Sequence, residues 1–161
     1  MLADVLSALQ DAAVVDALRR SRWVYPLVNA GHIVGIALLF GSMAPLDLRL
    51  IGLWRRIPLN QMARTLLPVA LAGLLLAVST GALLFSVSAV RYAGLTLFQI
   101  KLLLILGALT NALLLHATTA WGAHHHGELP GTTPRLQVAG ALSLGLWLAV
   151  IVAGRMLGYL D

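Results

Sequence analysis

The chain contains no cysteine. That excludes disulfides, thiolate zinc sites, Cys-ligated iron–sulfur clusters and covalent c-type haem attachment. Charge is scarce as well: 11% of the 161 residues are Asp, Glu, Lys or Arg, against about 25% in an ordinary soluble domain. Only six residues are acidic, and no carboxylate falls well inside an apolar run. This argues against a proton-driven transporter, which ordinarily needs an acid at membrane depth. Internal repeats and a broken helix are missing too, which speaks against a secondary transporter. No Ser-His-Asp pattern, phosphate-cradling glycine loop or HExxH motif occurs. The N-terminus lacks a basic stretch ahead of an apolar core, so no cleavable signal is expected.

What is present is apolar. Hydrophobic residues make up 60% of the chain, and the mean hydropathy is +0.90. At about 20 residues per crossing, the length accommodates four spanning helices with short connections. The expected fold is therefore an all-α integral membrane protein, a four-transmembrane-helix up-and-down bundle forming one domain over residues 22–161. Its helices are expected at about 23–46, 66–90, 97–121 and 136–158. Residues 1–21 read differently. Leu2, Val5, Leu6, Leu9, Ala13 and Leu18 recur near helical spacing, while Asp4, Asp11 and Asp16 interrupt any spanning run. The pattern predicts an N-terminal amphipathic helix on the membrane surface, or docked on a partner subunit, ending in Arg19, Arg20 and Arg22.

The formal net charge of +5 suits topology and contact with anionic headgroups rather than nucleic acid. Six basic residues fall on the N-terminal side and five on the other, a bias toward a cytoplasmic N-terminus. Trp23 and Tyr25 sit where interfacial aromatics belong. Beyond Pro45, residues Asp47 to Arg56 read as an interfacial extension. Within it, Asp47 is expected to form an ion pair with Arg64. Small residues recur at every fourth position in three runs: Gly31 and Gly35; Gly73, Ala77 and Gly81; Ala141, Gly145, Ala149 and Ala153. Such stripes let helices approach closely in lipid, and they would also leave room for a flat macrocycle.

Two histidines lie inside apolar runs, His32 in the first and His116 in the third. Two histidines on different helices are the minimum for axial ligation of a b-type haem, and histidine is a common iron ligand. Asn29 and Gly35 share the His32 face and suit a cofactor wall. The alternative is that each histidine hydrogen-bonds across helices, to groups such as Asn29, Asn111, Ser79 or Thr80. The expected helix ends place the two at depths differing by about seven residues, or ~10 Å. Tilt can absorb only part of that. Arg155 could meet a haem propionate or a quinone headgroup, or it could snorkel, as Lys101 is expected to do. His124, His125 and His126 in the polar connection form a loose candidate for copper or zinc, or simply a solvated loop.

Trp23-Val-Tyr-Pro26, Asn29-Ala-Gly-His32-Ile-Val-Gly35, Asp47-Leu-Arg-Leu-Ile-Gly52, Lys101 followed by Asn111-Ala-Leu-Leu-Leu-His116, and Ala153-Gly-Arg-Met-Leu-Gly-Tyr159 stand in this order along nearly the whole chain. Together they resemble a family of small bacterial four-helix inner-membrane proteins known only as a domain of unknown function. More distantly, the histidines in bundled helices look like those of membrane b-type cytochromes and copper-resistance membrane proteins. The resemblance implies a multi-pass protein of the bacterial inner membrane. The reading that follows is a haem b-binding subunit that passes electrons within a larger complex, rather than a stand-alone enzyme. Quinone and other membrane subunits, or further copies of the chain, are the expected partners besides the lipid bilayer. A non-redox accessory or assembly subunit is the alternative, and a copper- or zinc-handling membrane protein the second alternative.

Overall fold

The computed structural model describes residues 2–117 and 133–159. These form helices α1 (Leu2–Gln10), α2 (Ala13–Arg20), α3 (Val24–Ile51), α4 (Leu59–Val87), α5 (Ala89–Gly94), α6 (Thr96–His116) and α7 (Pro134–Leu157). Among the described residues α3, α4, α6 and α7 are long and apolar enough to cross a membrane. The protein is thus an all-α, multi-pass membrane bundle. We call the end where α3 begins proximal and the end where it stops distal.

The spanning helices run up and down. The closest pairing, α3 with α4, is built on glycine. A Cβ on Gly35 would lie 2.6 Å from the Ala77 backbone nitrogen, and one on Gly73 would lie 2.5 Å from that of Leu39. Backbone meets backbone at this crossing, as expected where close packing, and not a hydrophobic effect, drives helices together. On its other side α3 packs against α7, which in turn packs against α6. Two apolar layers fill the centre. One joins Leu39, Ala70, Ala108, Trp147 and Val150, a contribution from each spanning helix. The other, distal, joins Leu46, Leu50, Leu59, Ala63 and Leu136, with Leu115 packed against it.

Several boundaries differ from the sequence expectation. The surface helix is two helices, α1 and α2, meeting at Asp11 and Ala12. Pro45 does not end the first crossing. The helix continues through it to Ile51, because Leu46 and Leu50 extend the buried stripe begun by Gly35, Leu39 and Ser42. Gly52, at φ 123°, then terminates it in a left-handed conformation that a side chain would oppose. Likewise α4 starts at Leu59 and runs through Pro68. A proline in a membrane helix frees one carbonyl and is tolerated where neighbouring groups compensate.

The α7 stripe is also rotated from the expected one. The packed face is Leu136, Gly140, Ser143, Trp147, Val150, Ala153 and Leu157. Ala141 and Gly145 face outward.

At the proximal end the N-terminal helices close over the end of α4. Gln10 and Arg19 both donate to the Val87 carbonyl, at 3.4 and 3.2 Å. A cation at a helix C-terminus is favourable there, since the last carbonyls have no partner within the helix. Arg20 pairs with Asp16 at 2.8 Å on the exposed side of α2. That carboxylate raises the guanidinium above its ordinary range.

Candidate functional sites at the two ends of the bundle

His32 projects from α3 onto α4. Its Nδ1 lies 2.9 Å from the Ala77 carbonyl oxygen and 3.2 Å from Thr80 Oγ1. A carbonyl can only accept, so Nδ1 carries the proton and donates it. In the neutral ring this leaves the Nε2 lone pair available. No partner meets Nε2 among the described residues. The imidazole has room because α4 presents Gly81 opposite it: a Cβ there would lie 2.9 Å from Cε1.

Lys101 shares this level. On α6 it stands seven residues before the buried Ala108, on the same face of the helix. Its stem does not snorkel outward. Cδ, Cε and Nζ lie 3.4–4.0 Å from where a Cβ of Gly154 would be, so the absence of a side chain on α7 makes its berth. Its charge is close enough to act on the His32 ring. Among the described residues no carboxylate pairs with it. Two pairs of helices thus meet at this level: His32 of α3 against Thr80 and Gly81 of α4, and Lys101 of α6 against Gly154 of α7. Asn29, one turn before His32, lies on its exposed flank.

The other expected site residues do not join it. Gly35 is filled by the α4 backbone and serves helix crossing. The Arg155 guanidinium folds onto Tyr159 of its own helix, 4.7 Å from the ring and 2.8 Å from the hydroxyl. His116 ends α6 and is exposed, with Nδ1 2.7 Å from the carbonyl oxygen of Ala112. Counting along α6 from Lys101, it stands fifteen residues, or about 22 Å, distal to the His32 level. The same value follows from Leu115, which packs on the Leu46 layer, fourteen residues or about 21 Å along α3 from His32. Two axial ligands must share one iron, so the arrangement does not fit a haem held between His32 and His116. His124, His125 and His126 lie outside the described residues. Among those described, no group of three or more His, Asp or Glu could hold a metal ion.

Sequence reasoning missed the distal place. Asp47, expected in an interfacial extension, lies inside α3 with 1% of its surface exposed. The stretch after Pro45, expected to lie beyond the first crossing, is thus the last part of α3, with Asp47 about one turn from its end. The expected ion pair with Arg64 is absent among the described residues. Instead the Ser143 hydroxyl of α7, on a residue itself 4% exposed, lies close enough to act on the Asp47 carboxyl. The Asp47 Oδ2 has no partner among the described residues. A Cβ on Gly140 would lie 2.9 Å from the Asp47 carbonyl oxygen, so the α7 backbone seals the carboxyl in.

Arg49 points the other way, as residues two apart on a helix do. Its Nε donates to the Ile57 carbonyl at 2.8 Å and its Nη2 to that of Arg55 at 3.4 Å. It thereby pins the α3–α4 connection. A signal for the distal site was present in Gly140 and Ser143, small and polar on the packed face of the last helix. Pairing them with Asp47 required knowing which helices touch. The chain matches no protein-family model, no curated protein and no solved structure.

Proposed function

We propose that this chain is a subunit of a bacterial inner-membrane electron-transfer complex and that His32 and Lys101 hold the polar headgroup of a quinone-class carrier. One observation carries the reading. A histidine is held by the backbone with Nε2 available, within electrostatic reach of an ammonium that has no counter-charge among the described residues, on helices apolar enough to span a membrane. Ionisable residues placed there are costly and mark functional sites. The chemistry suits both forms of such a carrier: a quinone oxygen accepts from the lysine ammonium, and a quinol hydroxyl donates to Nε2. The exposed flank at Asn29 gives a lateral approach from the lipid. Without a bis-His pair or cysteine ligands for a cluster, the electrons would pass to a centre on a partner subunit.

A soluble short-chain quinone analogue titrated into the detergent-purified protein tests this. His32→Ala and Lys101→Leu should each weaken binding about tenfold or more, as loss of a hydrogen bond to a charged or oriented partner does. Arg155→Gln should leave it unchanged. Wild-type affinity in both site variants would end the reading.

A second reading has support in the His32 ring. Donation of Nδ1–H to a carbonyl is also how metal-ligating histidines are oriented. His32 would then be the single protein ligand of a haem b, with Lys101 toward a propionate. Visible spectra of oxidised and dithionite-reduced protein decide it. A reduced b-type band lost in His32→Ala and kept in His116→Ala favours haem. A colourless protein from haem-replete cells removes it.

A further inference from the structure

The distal acid is independent of that site. Asp47 lies fifteen residues, or about 22 Å along α3, from His32, with the Leu39–Trp147 layer between them. A buried polar group normally has its partners, and an exception calls for an explanation. Here neither protonation state is complete. An ionised carboxyl has the Ser143 hydroxyl but no cation. A protonated one, its O–H toward Ser143, still leaves Oδ2 without a partner among the described residues. The charged or titratable residues at this end of the elements packed around it are Arg49 on α3 itself, Arg64 on α4, His116 on α6 and Arg135 on α7. None of them forms an ion pair with Asp47 among the described residues; Arg49 gives its Nε and Nη2 to the carbonyls of residues 57 and 55, while its buried Nη1 has no partner among those residues. The carboxyl is sealed from solvent. Yet it stands only four residues, about 6 Å, short of the helix end at Ile51, so a small parting of α3 from α7 would connect it to the distal face.

We propose that Asp47 is a proton-binding site, taking up and releasing one proton at the distal face with Ser143 as its hydrogen-bond partner in both states. Ser143 can fill both roles because a hydroxyl donates to a carboxylate and also accepts from an acid. No other group has to move.

The test is infrared spectroscopy of the full-length protein in lipid, from roughly pH 4 to pH 9, a range that brackets ordinary and displaced carboxyl titrations. Subtracting Asp47→Asn from wild type should leave one carboxylic-acid carbonyl band that appears and disappears with bulk pH. In Ser143→Ala that band should change frequency, because the carboxyl loses the hydroxyl that faces it. If Asp47→Asn does not fold, ¹³C-aspartate labelling with Ser143→Ala as the comparison gives the same information. Absence of an Asp47 acid band throughout would overturn the proposal. So would a band that never changes with pH, since the acid would then be a fixed structural element. Quinone affinity should be unaltered in Asp47→Asn, so this outcome is separate from the fate of the proximal site.

Discussion

The two ends of the bundle handle membrane-depth polarity in opposite ways. Proximally, His32 and Lys101 are half-buried, carry positive or neutral character and rest in gaps left by Gly81 and Gly154. Distally, Asp47 is acidic, closed off by the α7 backbone at Gly140 and faced by the Ser143 hydroxyl. Small residues are used in both places with different results. A glycine opposite a side-chain tip opens space around it, whereas a glycine opposite a backbone removes space. The same residue type therefore marks a ligand berth at one end and a seal at the other. Composition alone cannot tell them apart.

The largest effect should come from breaking what both ends share. In Gly35→Leu the new side chain would meet the backbone of α4, which cannot rotate away. Overpacking usually costs about 1–3 kcal/mol and more where backbone must shift. The expected outcome is loss of monodisperse protein on size exclusion, with both sites lost. Next, Ser143→Ala should destabilise by about 1–3 kcal/mol, the cost of stranding a buried polar partner, read as a fall in the midpoint of detergent or thermal unfolding. Quinone-analogue affinity should stay at wild type, keeping the two ends distinct.

Gly81→Ala should do the reverse. Its methyl would press on Cε1 of His32 and turn the ring. At about 0.5–1.5 kcal/mol for a displaced rotamer, analogue affinity should drop roughly two- to tenfold with little change in stability. Smallest of all, Arg20→Gln removes an exposed ion pair with Asp16 and should change neither stability nor binding measurably. A clear loss there would mean that the N-terminal helices do more than cover α4.

The bundle itself was legible because four long apolar runs leave few alternatives. The ends of its helices were not. Pro45 and the charges after it read as a stop. The burial of Leu46 and Leu50, and the approach of Ser143 to Asp47, depend on a helix some ninety residues later. That error carried over to the histidines. With the first helix ending too early, His32 and His116 looked about 10 Å apart in depth. The true registers double the figure. Lys101 was within reach of sequence reasoning: it stands seven residues from Ala108 and three from Leu104, on the inward face of α6. Asp47 was not, because nothing local distinguishes a carboxyl facing water from one facing Ser143.

The bonds from Gln10 and Arg19 to Val87 have a consequence for how the chain is made. Arg19 precedes its acceptor by 68 residues and Gln10 by 77. At about 5–20 residues per second, the N-terminal helices are complete several seconds before the second crossing offers the carbonyl that fixes them. During that interval they have only the lipid headgroups to rest on, which their basic, apolar-faced sequence suits. Their docking then depends on α4 having crossed, so it can serve as a reporter of insertion. A protease site placed near Ala12 should be cut in nascent chains stalled before Val87 emerges and be protected in longer ones.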